Sequence, residues 1–212
     1  MSTHPSCTLG APAPQPGSPY AFIEVYGGCP ARWNPCTTLP YRVNMTNSRL
    51  TLSQIQAYIS YVGTSSGVNF VYAGSSTALT SNWTGPGLLI SWENAITEPE
   101  FAGNVIGMAH YWIFGGQIRQ AAIALNYEWE STDANRWKSL VIHEVGHIIG
   151  LDHVDDVGQA MNPWVPWTTS GLYGSGDLAG LRLLGSAQGC LTGVSATSEQ
   201  HVSVIEDRPS DL

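Results

Sequence analysis

The spacing of apolar positions changes several times along this chain, and each change marks an element. Residues 40–45 alternate apolar and polar positions as a half-buried strand does. Thr51-Leu52-Ser53-Gln54 reads as a capping box, and Ile55, Ile59 and Val62 repeat behind it at helical spacing. Residues 68–72 and 88–92 are short apolar runs bounded by Gly, Ser and Pro, which predicts strands. Residues 105–113 and 120–126 predict two more. A second helix opens at a cap supplied by Thr132 or Asp133 and buries Trp137, Leu140, Val141, Val145 and Ile148 on one face. Strands alternating with helices predict a mixed sheet packed on helices, in one domain over residues 38–190. Outside these limits the pattern fades. Residues 1–37 are rich in proline and cysteine and read as an N-terminal extension, the first 20 as an extended arm. Residues 191–212 are polar and acidic with no clear period and read as a flexible C-terminal tail.

The second helix carries the most informative residues. His143-Glu144-Val145-Gly146-His147-Ile148-Ile149-Gly150-Leu151-Asp152-His153 reads H-E-x-x-H-x-x-G-x-x-H. On a helix, His143 and His147 stack one turn apart on the same face and can reach one metal ion at about 2.0–2.1 Å. Glu144 is rotated about 100° from His143, where it can touch a water on the metal without ligating the metal. His153 would point away on a continued helix. The helix therefore has to stop, and Gly150 stands where a left-handed C′ residue would stop it. Three neutral imidazoles leave a fourth position open, the arrangement of a catalytic rather than a structural zinc site. Zinc brings the pKa of its water to about 7, and Glu144 can take that proton and pass it to a leaving amine. Chance placement of the five fixed residues at this composition has a probability on the order of 10⁻⁵. A structural zinc, or a site that has lost turnover, is the competing reading, and the intact Glu144 speaks against it.

These residues resemble the metzincin metallopeptidases and, within them, the matrixins. Gln159-Ala160-Met161-Asn162-Pro163 is similar to the family's Met-turn, which places Met161 beneath the metal as a hydrophobic base and not as a ligand. Gly176-Asp177-Leu178-Ala179-Gly180-Leu181-Arg182 resembles the start of the family's C-terminal helix. The resemblance gives Asp177 the place of an aspartate that anchors the Met-turn backbone. The order of elements agrees over about residues 38–185. The implied fold is α+β and metzincin-like: a twisted mixed five-stranded sheet, an active-site helix, a Met-turn and a C-terminal helix. The implied activity is zinc-dependent endopeptidase action on proteins or peptides, with His143, His147 and His153 as zinc ligands and Glu144 as general base and acid. Substrate is expected to add a strand along Gly107-Met108-Ala109-His110-Tyr111. Trp164-Val165-Pro166-Trp167 resembles the wall of an apolar pocket for the residue after the scissile bond, with ordinary packed loop aromatics as an equal alternative. Two rival functions stay open: a zinc-containing binding or adhesion module without turnover, and an enzyme whose main target is its own arm or tail.

The chain also departs from the family. His110 stands alone at a position of a second, structural zinc site, and Ala124 occupies the place of another histidine, so one zinc ion is expected. Asn126 and Glu128 fall at calcium-binding positions, with Asp155 and Asp156 as further oxygen donors. Calcium needs six to eight oxygens, and solvated acids explain these residues as well. The family's pro-segment motif P-R-C-G-x-P-D is absent, and His4-Pro5-Ser6-Cys7 does not match it, so latency through a cysteine–zinc bond is not expected.

Composition narrows the setting. Charged residues make up 11% of the 212, against a usual ~25%, so the surface has to be built from uncharged polar, glycine and aromatic residues. A net charge of −8 without a basic patch argues against nucleic-acid binding. No run of 18 apolar residues is present, and no membrane span is expected. Four cysteines, Cys7, Cys29, Cys36 and Cys190, all avoid the zinc motif, which suggests two disulfides and an oxidising compartment. Sequence cannot choose among the three pairings; Cys29–Cys36, a short loop around Pro30 and Pro35, with Cys7–Cys190 is preferred. The expectation is a secreted monomer, although residues 1–20 lack the apolar core of a signal peptide. Asn44-Met45-Thr46 and Asn82-Trp83-Thr84 are glycosylation sequons, meaningful only in a eukaryotic secretory pathway.

Overall fold

The computed structural model describes residues 18–23, 25–26, 29–165, 171–191 and 200–209. Its helices begin where the sequence places their caps. Thr51 Oγ1 accepts from Gln54 N at 3.3 Å while Thr51 N donates to Gln54 Oε1 at 2.9 Å, and α1 (Leu52–Ser66) follows with Ile55, Ile59 and Val62 buried. Asp133, rather than Thr132, caps α2 (Ala134–Ile149), its Oδ1 accepting from Asn135 N at 2.8 Å. Burial on α2 extends beyond the predicted stripe to every residue from 139 to 149. It is enclosed by the sheet, by α1 and by α3 (Ser175–Leu184).

In chain order the strands are β1 (Ala21–Phe22), β2 (Val25–Tyr26), β3 (Cys29–Pro30), β4 (Leu39–Val43), β5 (Phe70–Ser75), β6 (Gly87–Glu93), β7 (Gly107–Phe114), β8 (Gln117–Asn126), β9 (Leu151–Asp152), β10 (Trp164–Val165) and β11 (Gln200–Pro209). The five predicted strands are β4 to β8. β5, β4, β6 and β8 pair in parallel in that order, and β7 joins β8 antiparallel, which makes the expected five-stranded mixed sheet. The central β6 is buried at every position. Helices cover one face, and clusters around Trp83 and Phe101 cover the other. A parallel strand buried on both faces reads as a continuous apolar run, as Leu88-Leu89-Ile90 does.

The sheet does not end at β7. β11 pairs antiparallel with it from Gln200 opposite Phe114 to Asp207 opposite Gly107, and β10 pairs parallel with β11, giving seven strands in the order β10-β11-β7-β8-β6-β4-β5. The flexible tail expected over residues 191–212 therefore does not describe Gln200–Pro209. The edge of β7 offers a row of backbone donors and acceptors, and a paired strand satisfies them.

Part of the expected N-terminal extension belongs to the core. Phe22, Ala31 and Trp33 are buried in the main cluster. Trp33 Nε1 donates to Ile148 O at 2.6 Å, and β1 pairs antiparallel with β9 just beyond α2. The preferred disulfide pairing is overturned: Cys36 is bonded to Cys190, with a Cα–Cα distance of 5.2 Å, so neither Cys29–Cys36 nor Cys7–Cys190 forms. The cause is tertiary. The turn after α3 returns beside residues 32–37, where Arg32 donates to Gly189 O at 3.1 Å and Asn34 Nδ2 to Leu191 O at 3.2 Å. Cys29 lies in the β2–β3 hairpin and is itself disulfide-bonded; Cys7 lies outside the described residues. Among the described residues no helix is long and apolar enough to cross a membrane.

Candidate metal centre and cleft

Helical periodicity positions two imidazoles, and the end of the helix positions the third. His143 and His147 are fully buried on α2. Gly150 ends α2 at φ 121°, ψ 10°, its N–H donating to the carbonyls of Gly146 and His147. A side chain at that φ is strained. β9 follows at once, β1 holds it, and His153 comes next. The three Nε2 atoms then face one another: 3.0 Å between His143 and His147, 3.3 Å between His143 and His153, and 3.2 Å between His147 and His153.

Their outer nitrogens set the chemistry. His143 Nδ1 donates to Ala160 O at 2.5 Å and His147 Nδ1 to Leu151 O at 2.9 Å. A carbonyl only accepts, so in the neutral ring the proton sits on Nδ1 and Nε2 presents a lone pair inward. Three nitrogens held about 2.05 Å from a tetrahedral ion would lie about 3.3 Å apart. The observed separations match that spacing, and the residues fit zinc.

A fourth atom able to ligate a metal was not anticipated from the sequence. Asp207 of β11, fully buried, places Oδ1 2.8 Å from His143 Nε2 and 2.6 Å from His153 Nε2, and Oδ2 3.4 Å from His147 Nε2. Among the described residues His143, His147, His153 and Asp207 are the one group of three or more metal-ligating side chains that converge. Burial works to raise the Asp207 pKa, but the charges of His143 and His147 outweigh it and hold the carboxyl well below the usual range. Burial would lower His143, yet pairing with Asp207 leaves it raised; at His147 burial prevails and the pKa falls. The sequence did carry a faint signal, the alternation Val202-Ser203-Val204 ahead of two acids.

Glu144 follows His143 on α2, fully buried, and neither of its oxygens has a hydrogen-bond partner among the described residues. Burial first, and then the charge of Asp207, push its pKa well above the usual carboxylate range. A desolvated carboxyl beside such a centre is suited to taking up and releasing a proton.

The segment that resembles a Met-turn packs against α2 beside His143. Met161 is buried against α2, so close that a Cβ at Gly146 would collide with its Sδ. The neighbouring peptide, Ala160, joins two parts of the site. Its N–H donates to Asp177 Oδ2 at 2.6 Å, and its carbonyl receives His143. Asp177 Oδ2 also accepts from Gly174 N at 2.9 Å. Burial raises the Asp177 pKa, and these backbone donors partly offset it.

The residues expected to meet substrate fall into two groups. Met108 packs with Phe101 and Val105 on one face of β7, Ala109 and Tyr111 enter the main core on the other, and His110 Nε2 lies 3.2 Å from Glu98 Oε2. What β7 offers at its edge is therefore backbone, and β11 occupies it. Trp164, half exposed, and Val165 flank β11 on its far side, opposite Arg208 and Pro209. Pro166 and Trp167 lie outside the described residues. Among the calcium candidates, Asn126 Oδ1 accepts from Glu128 N at 3.0 Å, and Asp156 accepts from Gly158 N and Gln159 Nε2 at 2.8 and 3.0 Å. These oxygens serve their own loops, and nothing supports calcium.

No curated protein matches the sequence. Among solved structures, the chain is similar to metalloproteinase-II from Bacteroides fragilis, with 15% identity and a TM-score of 0.41, over 76% of this chain and 56% of that one. A model of the family described as matrixin matches residues 32–173, which takes in α1, the five-stranded sheet, the three histidines and the Met-turn. That match spans more than half of the chain and every imidazole of the centre, and the chain belongs to the matrixin family of metallopeptidases.

Proposed function

We propose that the protein is a secreted, zinc-dependent endopeptidase. The observation that carries this reading is the convergence of three imidazole Nε2 atoms beside the buried, unpartnered Glu144. His143, His147 and His153 would hold the zinc. When bound, zinc supplies Lewis acidity that polarises a scissile carbonyl and acidifies water. Glu144 takes the proton of the attacking water on a carboxyl oxygen and delivers it to the leaving amine. The carbonyls of Ala160 and Leu151 keep His143 and His147 in the ligating tautomer. β7 and β10 leave a slot one strand wide between them. β11 runs through it with chain on both sides of Asp207, which supports cleavage within a chain over removal of terminal residues. The Cys36–Cys190 bridge supports an oxidising, extracellular setting.

Hydrolysis of quenched protein-derived peptides tests this, in protein from which residues 200–212 have been cut and removed after folding, so that entry to the slot is not limiting. Chelator-sensitive turnover is expected there. Adding Glu144→Ala should leave zinc bound at one equivalent and lower turnover roughly 10²–10⁴-fold. Equal turnover with and without Glu144 would sink the mechanism. Zinc bound by every variant with no cleavage would favour a binding module.

A further inference from the structure

The slot that a substrate would need is filled by the chain itself. We propose that Gln200–Pro209 is a built-in inhibitor of the metal centre: Asp207 completes the coordination sphere as a fourth ligand, and the strand takes the backbone groups of β7 and β10 that a substrate would use. This rests on the zinc peptidase reading above.

Three observations combine. The first is extent. Every residue from Gln200 to Asp207 has a partner on β7, and the next two pair with β10, so the strand covers the edge from end to end. The second is what stands at the centre. A side-chain carboxylate is there, with Oδ1 within 2.8 Å of two imidazole nitrogens. The backbone carbonyl of Asp207 is engaged elsewhere, accepting from Ile106 N at 2.8 Å. The strand thus presents a ligand to the centre and withholds the peptide group that would be cut. The third is burial. Asp207 is completely enclosed. A carboxylate costs several kcal/mol to bury unless paired with opposite charge. Asp207 lies beside a second buried carboxyl, Glu144, and the groups within reach that can offset its charge are the three imidazoles and the cation they would hold. Oxygen ligation by aspartate suits zinc and closes the position that a catalytic site keeps open.

The decisive experiment begins with the intact, metal-loaded chain carrying a specific protease recognition sequence within residues 192–199, cut after folding. In the cobalt(II)-substituted protein, releasing the strand should change the visible absorption bands as one oxygen donor leaves. Asp207→Ala in the uncut chain should give the same change. The backbone amides within residues 107–114 that point to β11 should exchange slowly before the cut and quickly after it, while those bonded to β8 stay slow. A tethered strand experiences an effective concentration on the order of mM. If it binds at about 10 µM when free, about 1% of the slots stand open, and release should raise peptide hydrolysis roughly 100-fold. A synthetic peptide of residues 200–212 should restore the block, and the same peptide with Asp207→Asn should restore less. Unchanged cobalt bands together with unchanged exchange would overturn the proposal, as would measurable hydrolysis that is equal in cut and uncut protein. Self-cleavage within residues 200–209 would make the strand a substrate and overturn it too. If bands and exchange respond but no form hydrolyses peptide, the ligand assignment stands and the peptidase reading fails.

Discussion

Asp177→Ala puts the support of the metal centre to a quantitative test. The carboxylate is buried and one oxygen accepts from two backbone donors, Ala160 N at 2.6 Å and Gly174 N at 2.9 Å. Each hydrogen bond to a charged acceptor contributes about 1.5–3 kcal/mol net, so losing both costs about 3–6 kcal/mol. The substitution also relieves the burial of a charge, which brings the loss towards the lower end, about 3 kcal/mol. For a domain of this size 1 kcal/mol corresponds to about 2–4 °C, and the melting temperature of zinc-free protein should fall by about 6–12 °C. A second consequence follows from Ala160. Its carbonyl orients His143, and loss of such outer support weakens metal binding by about 10–100-fold. Circular dichroism melting and competition with a chromophoric chelator measure the two effects. Asp177→Asn keeps an acceptor oxygen and should recover most of both. A melting temperature within about 2 °C of wild type and an unchanged zinc affinity would show that the Ala160 peptide holds itself, and the reasoning would fail.

Two further substitutions probe neighbouring contacts. Gly146→Ala drives a methyl group into Met161 Sδ and should cost about 1–3 kcal/mol. Pairing it with Met161→Ala should cost less than the sum of the single losses, since the clash is removed; additivity within about 0.5 kcal/mol would refute the contact. At Glu98, burial favours the neutral acid, but hydrogen bonds from His110 and Thr80 leave its pKa below the ordinary 4.5. A lowered folded pKa means that stability carried by the carboxylate is present above 4.5 and is lost as the pH falls towards the lowered value. Urea midpoints should therefore drop more steeply below that pH in the wild type than in Glu98→Gln, and parallel curves would contradict the assignment.

Most of the centre could be read from the chain because its parts lie on or beside periodic elements. The four-residue step from His143 to His147 and the stop at Gly150 are local relations within about two turns, whereas Met161 and Asp177 came from the family resemblance, since Ala160 meets both His143 and Asp177 across 17 positions. Asp207 is different. It sits 54 positions beyond His153, and its place depends on which strand closes the edge of β7, a question of long-range pairing that local pattern does not answer. The polar residues that alternate with Val202 and Val204 masked the strand as tail. The cysteines failed for the same reason: the six residues between Cys29 and Cys36 suggested a loop, whereas the bridge joins positions 154 apart that the return of α3 brings together. Trp33, set among prolines without a period, gave no sign that it would cap the last turn of α2.

The antiparallel pairing of β11 with β7 and its parallel pairing with β10 give the slot a direction as well as a width. A peptide that pairs in the same sense lies with its amino end towards Phe114 and its carboxyl end beyond Gly107. The residue just past the centre, where Arg208 stands, faces the half-exposed indole of Trp164. A chain laid the other way would meet parallel, slanted bonds along the longer edge, which are slightly weaker per residue. Choice of polarity is thus made by main-chain atoms alone, before any side chain of the ligand is sensed.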